Sequence, residues 1–203
     1  MTLTGLLLNC SPQQPRFPDG LKAPVAQKHP VELTSHGHTR IDPYYWLKER
    51  ENEEVIRHLN EENEYLTAMM AHTGAFRKEL FREIRGRIKE DDRSVPYYLD
   101  GYYYYTRYGE GREYPVYARK NGSLDAEEQV MVDANVLAEG QSFFAMTGVN
   151  VSTNGKLAAF GVDTVGRRIY TIRFLDLETG EMLADEIPGV TGNMAWAADN
   201  QTI

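Results

Sequence analysis

The sequence predicts a mixed fold, an N-terminal α-helical segment followed by the first blades of an all-β propeller. Three observations carry this expectation. Apolar residues recur at helical spacing along two stretches between residues 53 and 88. From Asp91-Asp92 onward, turn dipeptides alternate with short β-prone runs. The β part also repeats itself with a period in the fifties, the size of a propeller blade.

The elements follow in chain order. Residues 1–30 are proline-rich and aperiodic, which reads as a tether. The opening MTLTGLLLNC lacks a basic n-region and is short for a signal peptide. Two readings stand: a disordered extension, or the tail of a lipoprotein signal that starts upstream, with Cys10 as the lipidated residue. In SHGHTRIDPYYWLKE, residues 35–49, Pro43 favours an extended or turn conformation at Asp42. Tyr44, Tyr45, Trp46 and Leu47 then offer an apolar anchor.

Val55, Leu59, Leu66 and Met70 form one helical stripe, with Glu enriched near its start. After Thr73-Gly74, Phe76, Leu80, Ile84 and Ile88 form a second. Arg77, Lys78, Arg82, Glu83 and Arg85 lie on its opposite face. The expectation is an antiparallel or angled helix pair that must bury its stripes on something larger. Three parts result: an extension over 1–30, a helical segment over 31–92, and an incomplete propeller over 93–203.

In the β part, Asp100-Gly101 between two tyrosine-rich runs is a strong hairpin signal, because a type I′ turn needs positive φ at both central residues. In RIYTIRFLDL, Tyr170, Ile172 and Phe174 fall on one face and Thr171 and Arg173 on the other. Laying residues 100–122 over 154–180 pairs Asp100-Gly101 with Asn154-Gly155, Gly111-Arg112 with Gly166-Arg167, and Asn121-Gly122 with Thr179-Gly180. The offsets are 54, 55 and 58 residues. A third unit begins near MAWAADNQTI. A propeller needs roughly four blades or more to close, so two and a beginning imply a longer protein. Alone, they would leave strand edges unpaired.

The composition narrows the function. A net charge of −8 disfavours a general nucleic-acid binder, which needs clustered Lys and Arg. No apolar run reaches the length of a membrane span, roughly 18 residues. A single cysteine rules out an internal disulfide framework. No G-x-S-x-G is present; Gly140-Gln141-Ser142-Phe143-Phe144 fails at its last position. No phosphate-binding glycine pattern precedes a helix, and no cofactor is expected.

His36 and His38 form an H-x-H pair to which Asp42 could add a third metal ligand. No HExxH, CxxC or downstream histidine cluster supports it, so no metal is expected. His29, His58 and His72 read as surface residues. The glutamates over 51–64 read as a solvated helix face with at most a weak pull on basic peptides. Tyr102–Tyr105 and Tyr108 suggest a stacking platform, but alternate tyrosines in a blade strand are more simply core.

HGHTRIDPYYWLKE followed by EENEY resembles the opening of the prolyl oligopeptidase family of serine peptidases, where H-G-x-x-x-x-D-x-Y-x-W-L precedes a helix with E-N-x-Y. VPYYLDGYYYYTRYGEGREYPVYARK, VDANVLAEGQSFFAMTGVNVSTNG and GRRIYTIRFLDLETGE extend the resemblance, most closely to its oligopeptidase B branch, over about residues 23–203. His38 departs from the Asp often found there. The resemblance implies a seven-bladed propeller capping an α/β-hydrolase domain that the N-terminal helical segment joins. The triad and oxyanion donors would all lie in a C-terminal part outside these residues, so no catalytic residue is expected here. It further implies hydrolysis of short peptides after Lys or Arg, with the propeller gating access. The cytoplasm is the expected compartment; lipidation at Cys10 would make it the periplasm. A catalytically dead propeller that binds proteins, and a metal-dependent hydrolase using His36 and His38, are the competing readings.

Overall fold

The computed structural model describes residues 20–203. The described chain forms two units, one ending at Arg87 and the other spanning Ile88–Ile203.

The first unit opens with a hairpin, β1 (Val31–Ser35) paired antiparallel with β2 (His38–Asp42). His36 and Gly37 make its turn with φ of 51° and 77°, the positive values of a type I′ turn. Asp42 then accepts a hydrogen bond from the Tyr44 amide at 3.0 Å, turning the chain into a 3-10 helix over Tyr45–Lys48. Trp46 is buried there. Its Nε1 donates to the Gln27 carbonyl at 3.0 Å, and the His29 ring lies over it at 5.0 Å.

Helix α1 (Glu53–Met70) is capped by Asn52, whose side chain accepts from the Glu54 amide at 2.9 Å. Glu53 and Glu54 in the first turn suit the positive end of the helix dipole. A 3-10 turn over Ala71–Thr73 leads into α2 (Gly74–Gly86). Met70, Ala71, Thr73 and Gly74 all keep right-handed helical dihedrals. The antiparallel option of the expected helix pair is therefore not formed, because nothing reverses the chain. Only Val55 of α1 is buried, and α2 buries none of its residues. Leu59, Leu66, Phe76 and Ile84 are each more than half exposed.

The second unit is all β apart from one short helix. Strands β3 (Tyr97–Leu99), β4 (Tyr102–Arg107), β5 (Val116–Asn121) and β6 (Glu128–Asp133) form an antiparallel sheet in chain order. Asp100 and Gly101 turn β3 into β4 with φ of 46° and 87°, as the sequence predicts. Helix α3 (Ala134–Leu137), capped by Asp133, leads to the second sheet. Its first edge is split between β7 (Ala145–Met146) and β8 (Asn150–Val151), both paired with β9 (Leu157–Asp163). Strands β10 (Tyr170–Asp176) and β11 (Met182–Val190) complete it. The repeat is thus two successive blades. Gly111 and Gly166 occupy the second hairpin of each, and Gly122 and Gly180 follow each third strand, all at positive φ.

The main core lies in the seam between the blades. Tyr104, Met131 and Val132 of the first pack with Ala158, Phe160, Leu175 and Leu177 of the second. On the far face of the second blade, Ala159, Ile172 and Phe174 meet Met194, Trp196 and Ile203. Strand β10 is therefore covered on both faces. That is why Leu175 is buried although it lies opposite Ile172 and Phe174, while Arg173 stays exposed. The third unit begins as the second does. Ala197 N donates to Thr202 O and Asn200 N to Ala197 O, repeating Ser152 N to Leu157 O and Gly155 N to Ser152 O.

Candidate functional site

The residues singled out for metal chemistry do not converge. His36 sits in the β1–β2 turn and His38 starts β2, so the pair does not share a strand face. Asp42 is engaged by the Tyr44 amide and by Arg40 at 3.2 Å. Among the described residues, no group of three His, Cys, Asp or Glu is placed to hold a metal. Cys10 lies outside the described residues. Ser142 is an exposed loop residue, not the apex of a strand–turn–helix elbow. His29 and His58 lie beside Glu54 and Glu62. Among the described residues, no helix is long and apolar enough to cross a membrane.

The polar chemistry that is built sits in the blades. Tyr105 donates from its hydroxyl to Glu128 at 2.5 Å, and Arg107 grips the same carboxylate through Nε and Nη2, the closest contact being 2.8 Å. The Arg107 hydrogen bonds hold Glu128 below the usual carboxylate range. Burial, then the Glu128 hydrogen bond, push Tyr105 up to about 12.

Asp163 is nearly fully buried at the end of β9. Its oxygens accept from the amides of Val165, Gly166 and Arg168 at 2.7–2.9 Å. Those backbone donors, Val165 first, lower its pKa. Arg119 is also buried, at 3% exposure. Its Nε donates to Gln129 Oε1 and its Nη1 to the Gly155 carbonyl, each at 2.7 Å, and its guanidinium lies 4.0 Å from the Tyr102 ring centre.

The tyrosine-rich run divides as blade packing requires. Tyr102 and Tyr104 face the seam, while Tyr103 meets Tyr98 on the opposite face. These groups fix hairpins and seams, and none is positioned against a reacting partner. Sequence reasoning did not single out Arg119, Gln129, Glu128 or Asp163. Asp163 carried a usable signal, an aspartate opening a glycine-containing hairpin loop. A buried arginine on an alternating strand carries none.

Residues 23–203 match the family model described as the prolyl oligopeptidase N-terminal β-propeller domain. The chain belongs to the prolyl oligopeptidase family. This family is one of serine peptidases, and the matched segment is its propeller-bearing part. Among curated family members, the chain is 40% identical over 196 residues to dipeptidyl aminopeptidase BI of Pseudoxanthomonas mexicana, covering 88% of the chain and 27% of the relative. It is 36% identical over 185 residues to protease 2 of Moraxella lacunata, covering 87% and 26%. Among solved structures, oligopeptidase B from Leishmania major superposes with a TM-score of 0.78 at 32% identity, covering 87% of this chain and 28% of that one. The chain thus spans little more than a quarter of the length of the prolyl oligopeptidase relatives it matches. What it carries is the family's blade scaffold.

Proposed function

We propose that this chain is the helical and propeller portion of a serine oligopeptidase that hydrolyses short peptides after Lys or Arg, and that by itself it hydrolyses none. The observation that carries the reading is the exposed apolar stripe along α1 and α2, in a chain about a quarter as long as its relatives. Such a stripe is stable in water only when another surface covers it, and an α/β-hydrolase domain supplied by a longer protein is that surface. The Trp46 region then acts as a clasp, docking the helical segment onto the peptidase domain. The serine, acid and base belong to that domain, and acyl-enzyme chemistry needs no cofactor. The propeller's role is to admit short peptides and exclude folded protein, and the cytoplasm is its compartment.

One observation favours a second specificity. The relative at 40% identity is named a dipeptidyl aminopeptidase, which points to release of dipeptides from a free amino terminus. Two experiments decide these points. The 203-residue chain is incubated with an arginine-amide substrate and a fluorophosphonate probe; neither turnover nor labelling is expected, and specific labelling would overturn the reading. A protein extending the chain through a peptidase domain is then given peptides with free and blocked amino termini. Equal cleavage of both supports the endopeptidase, and cleavage of the free form alone supports the aminopeptidase.

A further inference from the structure

We propose that Arg119 and Gln129 form a polar lock that leaves the seam between the two blades no partly parted state. The two residues are cross-strand partners on β5 and β6 of the first blade. Each sends a donor into the second blade. Arg119 Nη1 reaches the Gly155 carbonyl in the β8–β9 turn at 2.7 Å, and Gln129 Nε2 reaches the Leu177 carbonyl after β10 at 2.6 Å. Arg119 Nε to Gln129 Oε1, at 2.7 Å, joins the two donors into one unit. The acceptors are joined as well, since the Leu177 amide donates to the Lys156 carbonyl at 2.8 Å. Gly155 is favoured here by its backbone conformation, and a Cβ would make only ordinary contacts. Its φ is 72°, and a Cβ there would meet Tyr102 and Arg119 Nη1 at 3.5 and 3.6 Å.

The guanidinium is buried and takes neutral partners in these contacts: an amide oxygen, a backbone carbonyl and a ring face. Gln129 and Tyr102 belong to the same blade as Arg119, so the set that offsets desolvation is complete only while the second blade presents the Gly155 carbonyl. A small separation that admits no water breaks the Gly155 and Leu177 contacts and leaves Arg119 Nη1, on a charged group, and Gln129 Nε2 dry and without acceptors. A full separation hydrates them. The intermediate is therefore the worst state available, and the seam is either closed or fully open. Apolar contacts alone lack this property, because they weaken gradually and have no preferred direction.

Native-state hydrogen exchange tests the lock. The hydrogen-bonded amides of Ser152, Gly155 and Leu177 report the second blade's turns, and those of β4 and β5 report the first blade. In the wild-type chain, both sets are expected to open with one common free energy. A turn set that opens locally in the wild type overturns the proposal. Arg119→Met/Gln129→Leu removes the buried charge together with its side-chain partner and leaves the Gly155 and Leu177 carbonyls without these donors. There, the turn amides are expected to exchange roughly tenfold faster than those of β4 and β5. A double variant that folds and keeps the common opening also overturns it. Arg119→Lys keeps the charge without the two-pronged fork and is expected to release the turns as well. If no variant folds, the wild-type comparison decides alone.

Discussion

Single side chains in the blades set measurable titrations. Tyr105 is raised above its unfolded value of about 10. Its hydroxyl therefore contributes stability that is complete below that value and is lost as pH rises through about 12. Absorbance titration should show a tyrosine step near 12 that Tyr105→Phe removes. Asp163 runs the other way. Its folded value is lowered by backbone donors, so its contribution is complete above the ordinary aspartate value of about 3.9 and is lost as pH falls through the lower folded value. Asp163→Asn keeps one acceptor and loses the charge. The stability gap between wild type and Asp163→Asn, measured by denaturant midpoint, should be constant near neutrality and shrink below about pH 4.

At the scale of elements, reading the sequence works where local chemistry decides. Asp100-Gly101 predicts its hairpin because that pair takes the positive φ a type I′ turn needs at both central residues. The blade repeat is legible because each unit spends its glycines at the same corners. The β1–β2 hairpin is missed because its turn is His36-Gly37, not Asn-Gly or Asp-Gly, and its strands are largely exposed, with only Val31, Leu33 and Asp42 half-buried. The path from α1 into α2 is missed because Thr73-Gly74 looks like a break, yet Gly74 takes ordinary helical dihedrals.

Two substitutions separate tight from open positions. Gly192 has φ of 83°, and a Cβ there would lie 2.7 Å from Thr147 Cγ2. Gly192→Ala should cost about 1–3 kcal/mol, read by thermal unfolding. Leu80 lies on the exposed stripe of α2. Leu80→Lys should change the stability of this chain by less than about 0.5 kcal/mol while raising its soluble, monomeric fraction in size-exclusion chromatography.

For the whole molecule, the candidate site is legible mainly as a set of missing partners. In the sequence, His36, His38 and Ser142 lack the company chemistry requires. The sequence cannot show that Arg119 is buried or that two blades share its hydrogen bonds, because those facts depend on a neighbouring blade. The start of the third unit carries a further consequence. Asn200 accepts from Thr153 Oγ1 and the Asn154 amide at 2.7 and 2.8 Å, and Trp196 donates to Asn150 O at 3.0 Å. The opening turn of the third unit is thus received by the turn that opens the second. A nascent chain leaves the ribosome amino end first, at about 5–20 residues per second. The second blade is therefore in place to serve as the template on which the third unit is laid down as it emerges, so that assembly here follows the direction of translation.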